Sequence, residues 1–264
     1  MHIHFIQHEI FEAPGAFLIW AEKRGDEITS SKVFNNEVLP SSVDTIDLLV
    51  ILGGPQDPGT TVAECPYFDA QAEISTIQEC IKKGKAVVGV CLGSQLIGNA
   101  LGAEFGHSPN KEIGVFPIRL TEEGLRDKKL KHFGSSLCVG HWHNDMPGLT
   151  TDSKILATSE GCPRQIIAYS NLVYGFQCHM EFNREVVELL IENDKKNLQN
   201  QIKYRFVQKP DEIRNYDYTE MNDKLHLFLD NLIEEYNQTK NYHSSSKTIY
   251  LFKAILIFIL LHSI

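Results

Sequence analysis

Cys91 stands between Gly89 and Gly93, and His179 stands two residues before Glu181. A thiol, an imidazole and a carboxylate are the nucleophile, base and orienting group that attack on a carbonyl compound requires, and they need not be close in sequence. The run Ala86–Val90 is short, rich in valine and bounded by Gly84, so it reads as a strand buried on both faces of a parallel sheet. After Cys91 the pattern changes period: Leu92, Gln95, Leu96 and Asn99 fall at helical spacing up to Gly102, a suitable stop. Cys91 is therefore expected at a strand-to-helix corner, with glycines at i−2 and i+2 where a sharp turn leaves no room for side chains. The free N–H groups and dipole of a helix N-terminus stabilise negative charge there, which favours a nucleophilic thiolate over a small buried thiol that merely ends a core strand.

Leu172–Cys178 reads as a second buried strand, with His179 and Glu181 at its end. Residues two apart at a strand end point the same way, so the carboxylate can hold one tautomer of the imidazole while the other nitrogen faces Cys91. Both motifs would then lie at the C-terminal ends of strands, where open α/β sheets place their sites.

The loop Leu52-Gly-Gly-Pro55, then Gly89-Val-Cys-Leu-Gly-Ser-Gln95, then Gly175-Phe-Gln-Cys-His-Met-Glu181 resemble, in the right order, the motifs of class I glutamine amidotransferases, and three motifs in that order make the resemblance specific. The resemblance covers about residues 1–195. It is nearest to stand-alone, GMP-synthase-like members, on Gln7-His8, Phe11-Glu-Ala-Pro-Gly15 and His141-Trp-His-Asn-Asp145. It implies a flavodoxin-like, doubly wound, mostly parallel sheet with helices on both faces. It also implies a Cys91–His179–Glu181 triad, an oxyanion hole from the N–H groups of Gly54 and Leu92, and substrate contacts from Gln95, Trp142 and His143. Each oxyanion donor would be worth roughly 3–4 kcal/mol. Met180 stands where the family usually has proline; it restores an N–H and backbone freedom, so the expectation is a looser His179–Glu181 pair and a slowed enzyme.

The elements that must position these groups follow from the same patterning. His2–Gln7, Ile28–Phe34 and Asp47–Leu52 read as strands; Ala16–Lys23 and Pro66–Lys83 read as helices, and the alternation predicts a parallel sheet. Glu112–Leu120 reads as an edge strand because Pro117 cannot donate to a central ladder. Ser136–Gly140 and Lys154–Thr158 read as short strands on either side of a loop containing His141–Asp145. Arg184–Asn197 reads as a helix capped by Asn183, and two further helical segments follow, the second over Glu220–Tyr236.

The predicted organisation is a catalytic domain over 1–197, a helical extension packed on it over 198–243, and an apolar tail over 244–264. The tail's 16-residue run from Ile249 to Ile264 is interrupted by Lys253. As a helix it would reach about 24 Å, short of the roughly 30 Å hydrocarbon core, so an interfacial or oligomer-contacting helix, or an extension that plays no part in catalysis, is expected, with membrane contact through 249–264 as the alternative.

Net charge is −9 with no basic block, which argues against nucleic acid as a partner. Six cysteines without C-x-x-C spacing fit a reducing cytoplasm, and the N-terminal sequence does not read as an export signal. Two histidines and an aspartate within His141–Asp145 raise a metal site, which is set aside for want of a further ligand; neither metal nor cofactor is expected. No pyrophosphatase loop or P-loop occurs in the sequence. Released ammonia would therefore pass to a separate synthetase, unless the substrate is a γ-glutamyl compound cleaved for its own sake, as a γ-glutamyl peptidase would do with a glutathione-like molecule. The remaining alternative is a non-catalytic binding or regulatory module of the same fold.

Overall fold

The strand Leu48–Ile51 (β3) is buried at all four positions, as an apolar run must be when helices cover both sides of it. In the computed structural model, which describes residues 1–261 and side chains through residue 241, β3 lies between His2–Gln7 (β1) and Ala86–Val90 (β4). Glu27–Lys32 (β2) pairs on the far side of β1, and Val173–Phe176 (β9) pairs with β4, all in parallel. The parallel order β2-β1-β3-β4-β9 is that of a flavodoxin-type doubly wound sheet. Beyond β9 the sheet continues antiparallel through Ile166–Ser170 (β8), Lys154–Thr158 (β7), Gly106–Leu120 (β5) and Ser136–Met146 (β6), making nine strands.

Period-two alternation divides the core. Ile3, Phe5, Leu48, Val50 and Val88 face helices Ala16–Arg24 (α1) and Arg184–Gln201 (α5), together with the helix Thr219–Leu261 (α7). Ile6, Leu49, Ile51 and Val87 face Ala70–Lys82 (α2) and Leu92–Ala100 (α3). Met221, Leu225, Phe228, Leu229 and Leu232 of α7 pack in the first of these cores. The helix is pinned to α1 by Trp20 Nε1–H donating to Asp230 (2.9 Å) and to the start of β3 by the Tyr236 hydroxyl donating to Asp47 (2.8 Å). The remaining helices, Glu122–Arg126 (α4) and Pro210–Arg214 (α6), are single turns.

Several expectations are corrected. β5 is interior, between β6 and β7, although Pro117 sits in it opposite Cys138. Its pairing with β7 involves only Arg119 and Leu120, so Pro117 lies beyond the end of that ladder, and an interior strand tolerates it. His141–Asp145 is not a loop but the second half of β6, paired with β5 across a register shift between His107 and Glu112. The second strand ends at Lys32, where Val33–Asn35 forms a 3-10 turn closed by Asn36 in the left-handed region (φ 59°). α2 starts only at Ala70, because the Asp69 carboxylate caps it by accepting from the Ala72 N–H at 3.0 Å. Glu220–Tyr236 is part of one longer helix whose backbone continues across the expected boundary at 243/244. The side chains of the 249–264 tail lie outside the described residues. Among the described residues no helix is long and apolar enough to cross a membrane.

Candidate active site

Cys91 is the N-cap of α3 with φ 49° and ψ −108°, a strained conformation for a residue with a side chain. Its neighbours explain how the strain is held. A Cβ on Gly89 would come within 2.4 Å of the Gly93 carbonyl, and one on Gly93 within 2.1 Å of the Ile51 carbonyl, so both positions exclude every other residue. The Cys91 N–H donates to Phe176 O at 2.7 Å, tying the elbow to β9, the strand that delivers the histidine.

His179 follows β9 and is completely buried, held by a two-way backbone bridge to Gly140 of β6 (2.8 and 3.1 Å). Its Nδ1 lies 2.7 Å from Glu181 Oε1, and its ring stacks on Phe182 at 4.4 Å. Nε2 has no bonded partner among the described residues, although the Cys91 thiol is close enough to influence the ring's charge. Burial opposes protonation, but Glu181 and then the thiol outweigh it, holding the imidazole well above its ordinary value. The looser pair expected from Met180 is not found: Met180 is buried, and Asn222 Nδ2 donates to the carbonyls of both Met180 and Phe182 at 2.9 Å.

Gly54 and Leu92 are brought together, a Cβ on Gly54 falling 2.9 Å from Leu92 Cδ2. Neither N–H has a protein acceptor among the described residues; for Leu92 this follows from its place at the start of a helix. The glycine loop is clamped by buried His8, whose Nδ1 lies 2.9 Å from Gly53 O and whose Nε2 lies 2.9 Å from Glu73. Burial works against a charge on His8, yet Glu73 raises it above its ordinary value.

A cleft of about 270 Å³ opens beside these groups, lined by Glu12, Gly54, Trp142, His143 and, from α5, Asn193 and Asn197. Trp142 presents its carbonyl to the Cys91 thiol at 3.9 Å, a long contact. His143 reaches the cleft wall, but its ring turns toward Glu112, His141 and Gln165. Gln95 is not among the cleft residues; it is buried and donates to Gln177 Oε1 at 3.2 Å.

Glu12 is the residue that motif reading passed over. It lies within Phe11–Gly15, a stretch that carried the resemblance but no role. Its Oε2 would be 2.5 Å from a Cβ on Gly53, and His179 Cε1 would be 3.2 Å from the same atom, so both flank one glycine. Burial pushes the Glu12 carboxyl up to about 7. The α5 lining was equally hidden, because polar positions on an amphipathic helix give no sign that they face a cleft.

A flavodoxin-type sheet with a cysteine elbow beside a buried histidine–carboxylate pair is the frame of a class I glutaminase fold. The chain belongs to the glutamine amidotransferase class-I family, whose sequence model matches residues 21–197. It is 54% identical over 238 residues to YfeJ of Salmonella typhimurium, described as glutamine amidotransferase-like, covering 90% of this chain and 100% of that one. The crystal structure of SMU.1228c superposes with a TM-score of 0.87 at 50% identity, covering 88% of this chain and 100% of that one. At 26% identity over 157 residues the chain also matches γ-glutamyl peptidase 3 of Arabidopsis thaliana, covering 56% of this chain and 59% of that protein.

Proposed function

We propose that the protein is a glutaminase-type amidohydrolase that releases ammonia from the side chain of glutamine. The Cys91 thiolate attacks the carboxamide carbon, and the N–H groups of Gly54 and Leu92 hold the developing oxyanion. His179, protonated in its pair with Glu181, gives its proton to the departing ammonia and leaves a γ-glutamyl thioester on Cys91. Water then attacks the thioester as His179 takes its proton, releasing glutamate and the thiolate. Ammonia would pass to a separate synthetase. The observation that carries this reading is the strained Cys91 elbow, tied to β9 and close enough to His179 to raise it, with the imidazole's Nδ1 fixed by Glu181 at 2.7 Å and its Nε2 without a bonded partner among the described residues.

The cleft supports a second reading, cleavage of a γ-glutamyl peptide. It is also walled by Asn193, Asn197 and Gln201 of α5, side chains that can hydrogen-bond an amide group. Treating wild type and Cys91→Ala with a diazo-ketone analogue of glutamine, followed by mass spectrometry, and assaying ammonia release from glutamine tests both. One adduct, absent from Cys91→Ala, together with ammonia release is the expected result. An adduct without ammonia release selects the γ-glutamyl peptide, and the absence of any adduct removes Cys91 as nucleophile and leaves a non-catalytic module.

A further inference from the structure

Glu112 and His143 are direct cross-strand partners on β5 and β6, and His141 lies two residues from His143 on the same face. The side chains converge in a space sealed from solvent: His141 and Glu112 are fully buried and His143 is 6% exposed. His141 Nδ1 lies 3.3 Å from His143 Nε2, His143 Nε2 lies 3.4 Å from Glu112 Oε2, and His141 Nδ1 lies 3.7 Å from the same oxygen. A tetrahedral ion held roughly 2.0–2.1 Å from each donor sets donor–donor edges of about 3.3–3.4 Å. Two of the three edges fit, and the third is slightly long.

The hydrogen bonding around the trio points the same way. His141 Nε2 faces the Phe116 carbonyl at 3.3 Å; donating there, a neutral His141 turns a bare Nδ1 lone pair into the cluster. A backbone carbonyl holding the outer N–H is also the arrangement that orients metal-ligating histidines. Ser159 Oγ (2.8 Å) and Gln165 Nε2 (2.7 Å) donate to Glu112 Oε2 and keep the carboxylate aimed inward. Glu112 Oε1 and Gln165 Oε1 are both buried without a partner. With its amide turned, Gln165 would give up its bonds to Glu112 Oε2 and Ser159 Oγ and place an oxygen 3.3 Å from His143 Nε2 as a fourth donor, leaving Ser159 to hold the carboxylate.

We propose that Glu112, His141 and His143 form a site for one divalent transition-metal ion of the Zn2+ class, a structural clasp between β5 and β6. The sequence contains only half of it. Asp145, the carboxylate nearest in sequence, pairs instead with His107 at 2.6 Å on the surface, and the ligand that was lacking comes from the facing strand. With Gln165 completing four protein donors in a sealed space, no position is left for substrate, so the ion would hold the strand that carries Trp142 and would not act on the reaction.

The test uses the full chain, refolded with Zn2+ or Co2+ and freed of loosely bound ions, with metal content measured by mass spectrometry and Co2+ by visible absorption. The expected result is one ion per chain with the intense ligand-field band of a four-coordinate site. Binding should weaken at least tenfold in Glu112→Gln and in His143→Gln and stay unchanged in His107→Ala, which removes the surface pair. If a variant does not fold, wild type decides: a melting temperature raised by Zn2+ and lowered again by chelator supports the site. Less than a tenth of an ion per folded wild-type chain, or equal binding by folded wild type and Glu112→Gln, overturns it.

Discussion

His179 and His141 are both completely buried, and each has a carboxylate in its surroundings, yet they are driven in opposite directions. Burial alone would neutralise either ring. At His179 the Glu181 carboxylate at 2.7 Å more than offsets it, and the imidazole is held well above its ordinary value. At His141 burial wins: Glu112 is 3.7 Å away, and the ring is pushed down to about 3. The lesson is that a nearby carboxylate does not by itself make a charged histidine; a directly bonded one does. The first arrangement sits at the carboxyl ends of the parallel strands beside a thiol and a cleft, the second inside the antiparallel extension with no opening.

The sharpest way to break this contrast is to remove the thiol. Cys91→Ala is expected to lower ammonia release by at least about 10⁴-fold with the far-ultraviolet dichroism unchanged, since the nucleophile has no substitute; residual turnover within tenfold of wild type would sink the catalytic reading. Glu181→Gln should lower kcat by roughly 10²–10⁴-fold, because the imidazole loses both orientation and charge stabilisation. It should also move the alkaline limb of kcat against pH to lower pH. The stability effect has a defined sign. A histidine raised above 6.5 in the folded state contributes stability that is present below about 6.5 and is lost as pH rises through its folded value, so the urea midpoint of Glu181→Gln should fall more at pH 6 than at pH 9.

Gly93→Ala tests whether the elbow's geometry is indispensable. Its Cβ would meet Ile51 backbone at 2.1 Å, and a loss of about 3 kcal/mol or more in urea unfolding is expected. Glu12→Gln has a smaller and conditional effect. A carboxyl raised from 4.5 to about 7 stabilises the fold below about 4.5 and loses that contribution as pH rises through 7. Glu12→Gln should therefore raise the unfolding free energy from urea titration at pH 8 by on the order of 2 kcal/mol and leave it unchanged at pH 4.5; the reverse pattern would show the carboxyl ionised in the fold. Smallest is Met180→Pro. The Met180 N–H donates no hydrogen bond among the described residues and the His179–Glu181 pair is already tight, so turnover should stay within about threefold of wild type.

The sequence by itself determined the parallel half. β1 and β4 lie where their apolar runs place them, and Cys91 sits at its corner because Gly89 and Gly93 admit the backbone to a space that any Cβ would fill. These are local facts: a run buried on both faces and a glycine-flanked turn carry their own signals. Only the tertiary structure decided the rest. Pro117 is admitted to an interior strand because β7 pairs just past it, and β8, buried at four of its five positions, gave no signal of its own. Gln95 turns to Gln177, 82 residues away in sequence. Glu12 meets His179 at Gly53, and Glu112 meets His141 and His143 across a strand pair. Such meetings depend on sheet order and register, which close over long loops and leave no period in the chain from which they could be read.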